Sequence, residues 1–157
     1  MLPVAALLAF AIYSYSASTS HQSQGVIMHI HPRIEIFIDG QRVAIPANIG
    51  IDSNLWKDRS LERYGMPMPD MPEMPYMSPL HTHDTSGVIH VESTVNREYT
   101  LGEFFDVWGV TFNESCIFDR CSGGSVVILV NGVRNSEFRN HVLNDGEEIH
   151  IRFEPTS

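Results

Sequence analysis

The chain has 157 residues, 43 % of them hydrophobic and 10 % aromatic, enough for one ordinary folded domain with an appendage and too few for two large ones. Its formal net charge is −9, and Lys57 is the single lysine among ten basic residues. Such a surface repels a phosphate backbone, so nucleic-acid binding is excluded.

Residues 1–20, MLPVAALLAFAIYSYSASTS, carry no charged side chain and read as a signal sequence or a membrane anchor outside the folded domain. The apolar run from Leu2 to Tyr13 is shorter than the ~20 residues that span a bilayer, and it lacks a basic leading region. The rest of the chain is therefore expected outside the cytoplasm, attached to the membrane through this segment. A polar linker, 21–25, leads into one domain, 26–157.

Val26–His31 and Ile34–Asp39 read as strands around Pro32. Asp39-Gly40 is a two-residue hairpin signal ahead of Arg42–Ile45. In the first of these strands His29 and His31 stand two apart, so both rings point to one side of a sheet. In the second, Ile34, Ile36 and Ile38 share a face. Asp52 or Ser53 can cap a short helix over Asn54–Tyr64, with Gly65 ending it.

Gly65–Pro79, GMPMPDMPEMPYMSP, holds five prolines, which forbid a helix or a central strand and favour polyproline II. With three residues per turn, Met68, Met71, Met74 and Met77 would line one edge, with Met66 slightly offset. Soft thioethers select Cu(I). Successive sulfurs on such an edge are about 9 Å apart, however, so the segment suits passing or capturing copper better than closing a site. The alternative is a methionine edge packed into an apolar groove.

The stretch Leu80–Ser93, LHTHDTSGVIHVES, then sets His81, His83 and His90 within ten residues, beside Asp84 and Glu92. Neutral imidazole is the commonest metal ligand, and a His-x-His pair with a third histidine can supply three nitrogens at about 2.0–2.1 Å from one ion. Gly87–Glu92 reads as a strand with Val88, His90 and Glu92 on one face.

Thr100, with Glu103 three residues on, forms a capping box for LGEFFDVWG, and Leu101, Phe104, Phe105 and Trp108 make the buried stripe of the main helix. Cys116 and Cys121 lie in a loop-like run. In an exported chain they are expected to close a small disulfide rather than to bind metal. Asn113-Glu114-Ser115 is a glycosylation sequon. Val126–Val130 turns at Asn131-Gly132 into a hairpin, and Glu148–Phe153 is the last strand. His141 and His150 are isolated and read as structural or solvent-exposed. The fold class expected is α+β, an antiparallel or mixed sheet packed by one main helix, and the C-terminal run is similar to a β-grasp ending.

The words MHIHP, SNLWKD, LHTHDTSGVIHVES and YTLGEFFDVWG together resemble a family of small exported or membrane-anchored proteins of ammonia-oxidising archaea, with related bacterial versions. The likeness covers residues 26–112, and no activity is established for that family. It implies a lineage whose chemistry depends on copper, with His29, His31, His81, His83 and His90 at the matching histidine positions. The cysteine loop looks like a local addition.

Three functions compete on these residues. The first is an extracytoplasmic copper protein for capture or delivery, with the five histidines as nitrogen ligands, Met66, Met68, Met71, Met74 and Met77 as a Cu(I) arm, and a membrane protein or copper protein as partner. No Cys…His…Met run suits a blue-copper site. The second is a zinc hydrolase or hydratase, with three histidines around zinc and Asp84 or Glu92 behind them or as base. The third is an anchored accessory subunit of a membrane complex.

Overall fold

A computed structural model describes residues 25–155. The anchor expected at 1–20 lies outside these residues. Among the described residues no helix is long and apolar enough to cross a membrane.

In chain order the elements are β1 (Met28–Ile30), β2 (Arg33–Ile38), β3 (Gln41–Val43), β4 (Met66–Pro67), β5 (Tyr76–Met77), β6 (Leu80–His81), β7 (His90–Ser93), α1 (Leu101–Trp108), β8 (Gly124–Val130), β9 (Val133–Asn135) and β10 (Glu148–Pro155). The architecture is α+β. A five-stranded mixed sheet has the order β3-β2-β10-β8-β9, and a three-stranded antiparallel sheet has the order β1-β7-β6.

The period-2 pattern of β2 decides the large sheet. Ile34 and Ile36 are fully buried, and the parallel register with β10 sets them beside Ile149 and Ile151. On its other side β10 runs antiparallel to β8, placing Ile151 opposite Ile128 and Phe153 opposite Val126. These apolar rows share one core with Leu101, Phe104, Phe105 and Trp108 of α1. The outer face carries Glu35 beside His150, which stands half-exposed there. Two hairpins, β2–β3 and β8–β9, thus flank the central strand β10, which is parallel to β2, and the helix lies between the hairpins in sequence, the strand order of a β-grasp sheet.

The capping box forms as the sequence dictates. Thr100 Oγ1 accepts the Glu103 amide at 3.3 Å, and Glu103 Oε2 accepts the Thr100 amide at 2.9 Å. Gly109, in the left-handed region at φ 80°, ends the helix. Replacing Thr100 with alanine removes half of this exchange and is expected to cost about 1 kcal/mol, read as a lower denaturant midpoint at unchanged slope.

Two local expectations need correction. No continuous helix spans Asn54–Tyr64; two single 3-10 turns, Ser53–Leu55 and Glu62–Tyr64, stand at its ends. Asp58 explains the break, because its carboxylate accepts the Ser60 amide at 2.8 Å and its carbonyl takes the Trp56 indole N–H at 2.7 Å. These local bonds outcompete the helical ladder, and Trp56 is buried, extended, between the turns.

Nor does the Met/Pro segment form a polyproline edge. β4 pairs with β5, Met66 opposite Met77, and the chain between them runs through two successive turns in which the Met71 amide donates to the Met68 carbonyl and the Met74 amide to the Met71 carbonyl. Pro69 and Pro72 each hold the second position of a turn, where their fixed φ fits. The three-residue methionine spacing therefore marks turn corners. Met74 is turned into the core and takes an Arg59 N–H on its sulfur at 3.3 Å, Met71 is exposed, and Met66, Met68 and Met77 are half-buried.

Cys116 and Cys121 are joined as a disulfide. Asn113 sets that loop, its side-chain oxygen accepting the amides of Ser115 and Cys116. Reducing the bond frees a short loop and is expected to cost about 2 kcal/mol, measurable as a drop in melting temperature on adding reductant, with no loss of secondary structure at room temperature.

Candidate metal centre

The three-stranded sheet exists to one side of the large one and is tied to it at a glycine. The Ile34 amide donates to the Gly87 carbonyl at 2.9 Å and the Ile89 amide to the Pro32 carbonyl at 2.8 Å. Gly87 has φ +85°, and a Cβ there would meet the Ile34 carbonyl oxygen at 2.2 Å, so only glycine allows the approach.

Within this sheet Val91 and Leu80 point to the core, fully buried and opposite each other. Side chains directly across a ladder share a face. The same registers therefore place His90 opposite His81, and Glu92 opposite His29, on the other face. Continuing β1 by one residue brings His31 alongside His90. Five histidines, drawn from segments some fifty residues apart in sequence, meet Glu92 on one surface.

His81 is the fixed member. Its strand is pinned to the loop before it: Thr82 exchanges backbone bonds with Asn48 and Ile49, and its hydroxyl donates to the Pro46 carbonyl at 2.8 Å. Gly50, at φ +72°, lies against His81 Cβ and leaves no room for a side chain of its own. The buried His81 ring donates from Nδ1 to the Ser78 carbonyl at 2.9 Å, which leaves Nε2 with its lone pair toward His83 Nε2, 3.2 Å away. Burial first, and His83 second, push the His81 pKa from 6.5 down to about 3. Its ring is accordingly neutral at ordinary pH, the form a metal takes.

Around it, the His90 ring centroid lies 5.5 Å from His81, 4.5 Å from His83 and 4.7 Å from His31. Burial, with His83 second, lowers the His90 pKa as well. His90 Nδ1 is enclosed and has no hydrogen-bond partner, with Glu92 Oε1 too distant at 3.8 Å. Glu92 instead reaches His29 Nε2 at 2.9 Å. His31 is held through its backbone, whose amide donates to Asp145 Oδ1 at 2.8 Å.

Two sets of ligand atoms result, each with all members within 4.8 Å of one another: His81, His83, His90 and Glu92; and His29, His31 and His90. These sets are able to hold a metal ion. Two nitrogens bound to one tetrahedral ion at 2.0–2.1 Å stand about 3.3 Å apart, close to the separation of the His81 and His83 nitrogens. His90, whose Nδ1 has no hydrogen-bond partner, is the third histidine of that set.

Several residues have other occupations. Asp84 is exposed, and its carboxylate accepts the Ser86 amide at 2.8 Å; hydrogen bonds from Ser86 hold its carboxyl below the usual range. It shapes the turn and belongs to neither set of ligand atoms. His141 is buried between Glu137 and Glu147, at 3.1 and 3.0 Å, as a structural crosslink. Sequence reasoning passed over Ser78, whose carbonyl fixes the His81 tautomer, and it gave Glu92 a role behind the histidines or as a base, not as a ligand. No local pattern marks a carbonyl acceptor three residues upstream of a histidine.

The molecule is thus an α+β protein carrying a histidine–glutamate cluster able to hold a metal ion. Comparisons with protein-family models, with curated proteins and with solved structures find no match.

Proposed function

We propose that the protein is an extracytoplasmic copper-binding protein that takes up or hands on the ion at the histidine cluster. The observation that carries this reading is the meeting of His81 and His83, their Nε2 atoms 3.2 Å apart, with His90 and Glu92 in one set of ligand atoms. Without an ion, a hydrogen bond between the facing His81 and His83 nitrogens keeps them in place, and the ion replaces that shared proton. Four donors of imidazole and carboxylate type suit a divalent first-row ion, and the affinity order of such ions peaks at Cu(II). Resemblance of the histidine words to exported proteins of copper-dependent archaea adds to the case. Exposure of His29 and His83, with His31 half-exposed, provides a route for the ion by stepwise ligand exchange. With Met74 buried, Cu(I) capture along a methionine edge has little support. The disulfide supports an oxidising compartment outside the cytoplasm.

The test is metal analysis of protein purified without added ions, followed by competition of Cu(II) against Zn(II) and a chelator of known strength. Retained copper, with a Cu(II) spectrum showing nitrogen ligation, is the expected result. Indifference to copper, zinc and nickel alike overturns the proposal.

A second reading, zinc with an open position, is favoured by one contact. Glu92 is engaged by His29, so three histidines can bind while a fourth position stays free for water. The cleft of about 760 Å³ lined by Lys57, Asp106, Phe112 and Arg139 contains none of these histidines, however. Hydrolysis of an activated ester by the zinc-loaded protein, lost on replacing His83, would favour this second reading.

A further inference from the structure

We infer that the cluster holds two ions rather than one, with His90 ligating both through its two ring nitrogens. This rests on the metal-binding reading above and adds the number of ions and their bridge. The two ligand sets overlap only in His90: His81, His83 and Glu92 lie with it in one, His29 and His31 in the other. A single ion therefore satisfies one set and leaves the other histidines unused.

The strand order produces this arrangement. β7 is the middle strand of its sheet, with β6 on one side and β1 on the other, so a residue of β7 has a same-face neighbour on both flanks. His90 meets His81 across the β6 register. The β1 side brings His31 to a ring distance of 4.7 Å, edge-on at 88°, while His83 stands at 4.5 Å and 69°. The ring thus has donors on both flanks, and an imidazole has two nitrogens to offer them.

The chemistry balances without electron transfer. One ion binds the ring nitrogen that holds a lone pair; the other forms its bond at the nitrogen that carries the proton, and that proton passes to water. With metal–nitrogen bonds of 2.0–2.1 Å on either side of one ring, the ions stand about 6 Å apart. Two dications so close need nearby negative charge. Glu92, 2.9 Å from His29 Nε2 and 3.8 Å from His90 Nδ1, lies between the two sets, and Asp145 adjoins His31 at 3.9 Å.

Titration of the full chain with Cu(II), read by elemental analysis after desalting and by electron paramagnetic resonance, tests the bridge. Two ions per chain are expected, with the ordinary single-ion signal lost to magnetic coupling through the ring. The double variant H29A/H31A changes two exposed or half-exposed rings, so its fold should survive. It is expected to bind one ion and to regain the isolated Cu(II) signal. Saturation of the wild type at one ion overturns this inference and leaves the metal-binding reading standing. No bound ion overturns both, and two ions with uncoupled signals overturn the bridge.

Discussion

Replacing His83 with alanine lowers affinity for the bound ion by at least about 100-fold. Loss of a partner that only orients a metal ligand already costs 10–100-fold, roughly, and His83 is proposed as a ligand itself. Its side chain is exposed, but it is the partner of the buried His81 Nε2, so the metal-free protein should lose about 1 kcal/mol at most, far less than the loss in affinity. His81→Ala should lose the ion equally but destabilise as well, because it empties a fully buried site packed against Gly50. His150→Ala, on the outer face of the large sheet, is the control and should bind as the parent does. Calorimetric titration and the rise in melting temperature on adding ion both report the effect; an ion at 100 times its dissociation constant stabilises the parent by about 2.7 kcal/mol. An unchanged affinity in H83A removes the His81–His83 pair from the site.

The second large effect is acid destabilisation of the metal-free protein. The His81 pKa is about 3 when folded against 6.5 for the free side chain, so between these values the unfolded chain binds a proton that the folded chain refuses. Stability is therefore unaffected by this group above pH 6.5, falls as pH drops below it, and ceases to change near pH 3. At about 1.4 kcal/mol per unit, roughly 3 kcal/mol is lost by pH 4. His81→Asn retains a donor for the Ser78 carbonyl and cannot titrate, so the difference between parent and variant isolates the effect. Chemical denaturation at pH 7, 5.5 and 4 measures it. Parallel curves for the two proteins would show that His81 is not the group responsible. Bound ion should suppress the loss, since the proton and the metal compete for one lone pair.

Much of this molecule is written locally. Alternating isoleucines made β2 legible, Thr100 and Glu103 marked the helix start, and Asn131-Gly132 the last hairpin. These signals depend on residues within a few positions of each other, as the bonds they make do. Failures came where local signals compete or where a motif serves two conformations. Asp52 and the apolar spacing after it pointed to a helix, yet Asp58 diverted the backbone. Proline-rich composition pointed to polyproline II, yet proline equally suits turns, and the burial of Met74 selected turns over an open edge.

The histidine words show the same division. That His29 and His31 share a face, and that His90 and Glu92 share one, follows from the two-residue period of a strand and needs only the sequence. That these two faces are the same face, with His81 and His83 joining it, depends on the antiparallel registers of β1 and β6 against β7. A slip of one residue would turn one of these sets of rings to the other side. Register is set by which side chains the core accepts, here Val91 and Leu80, and by the close approach at Gly87, so the tertiary structure alone decided that the imidazoles converge.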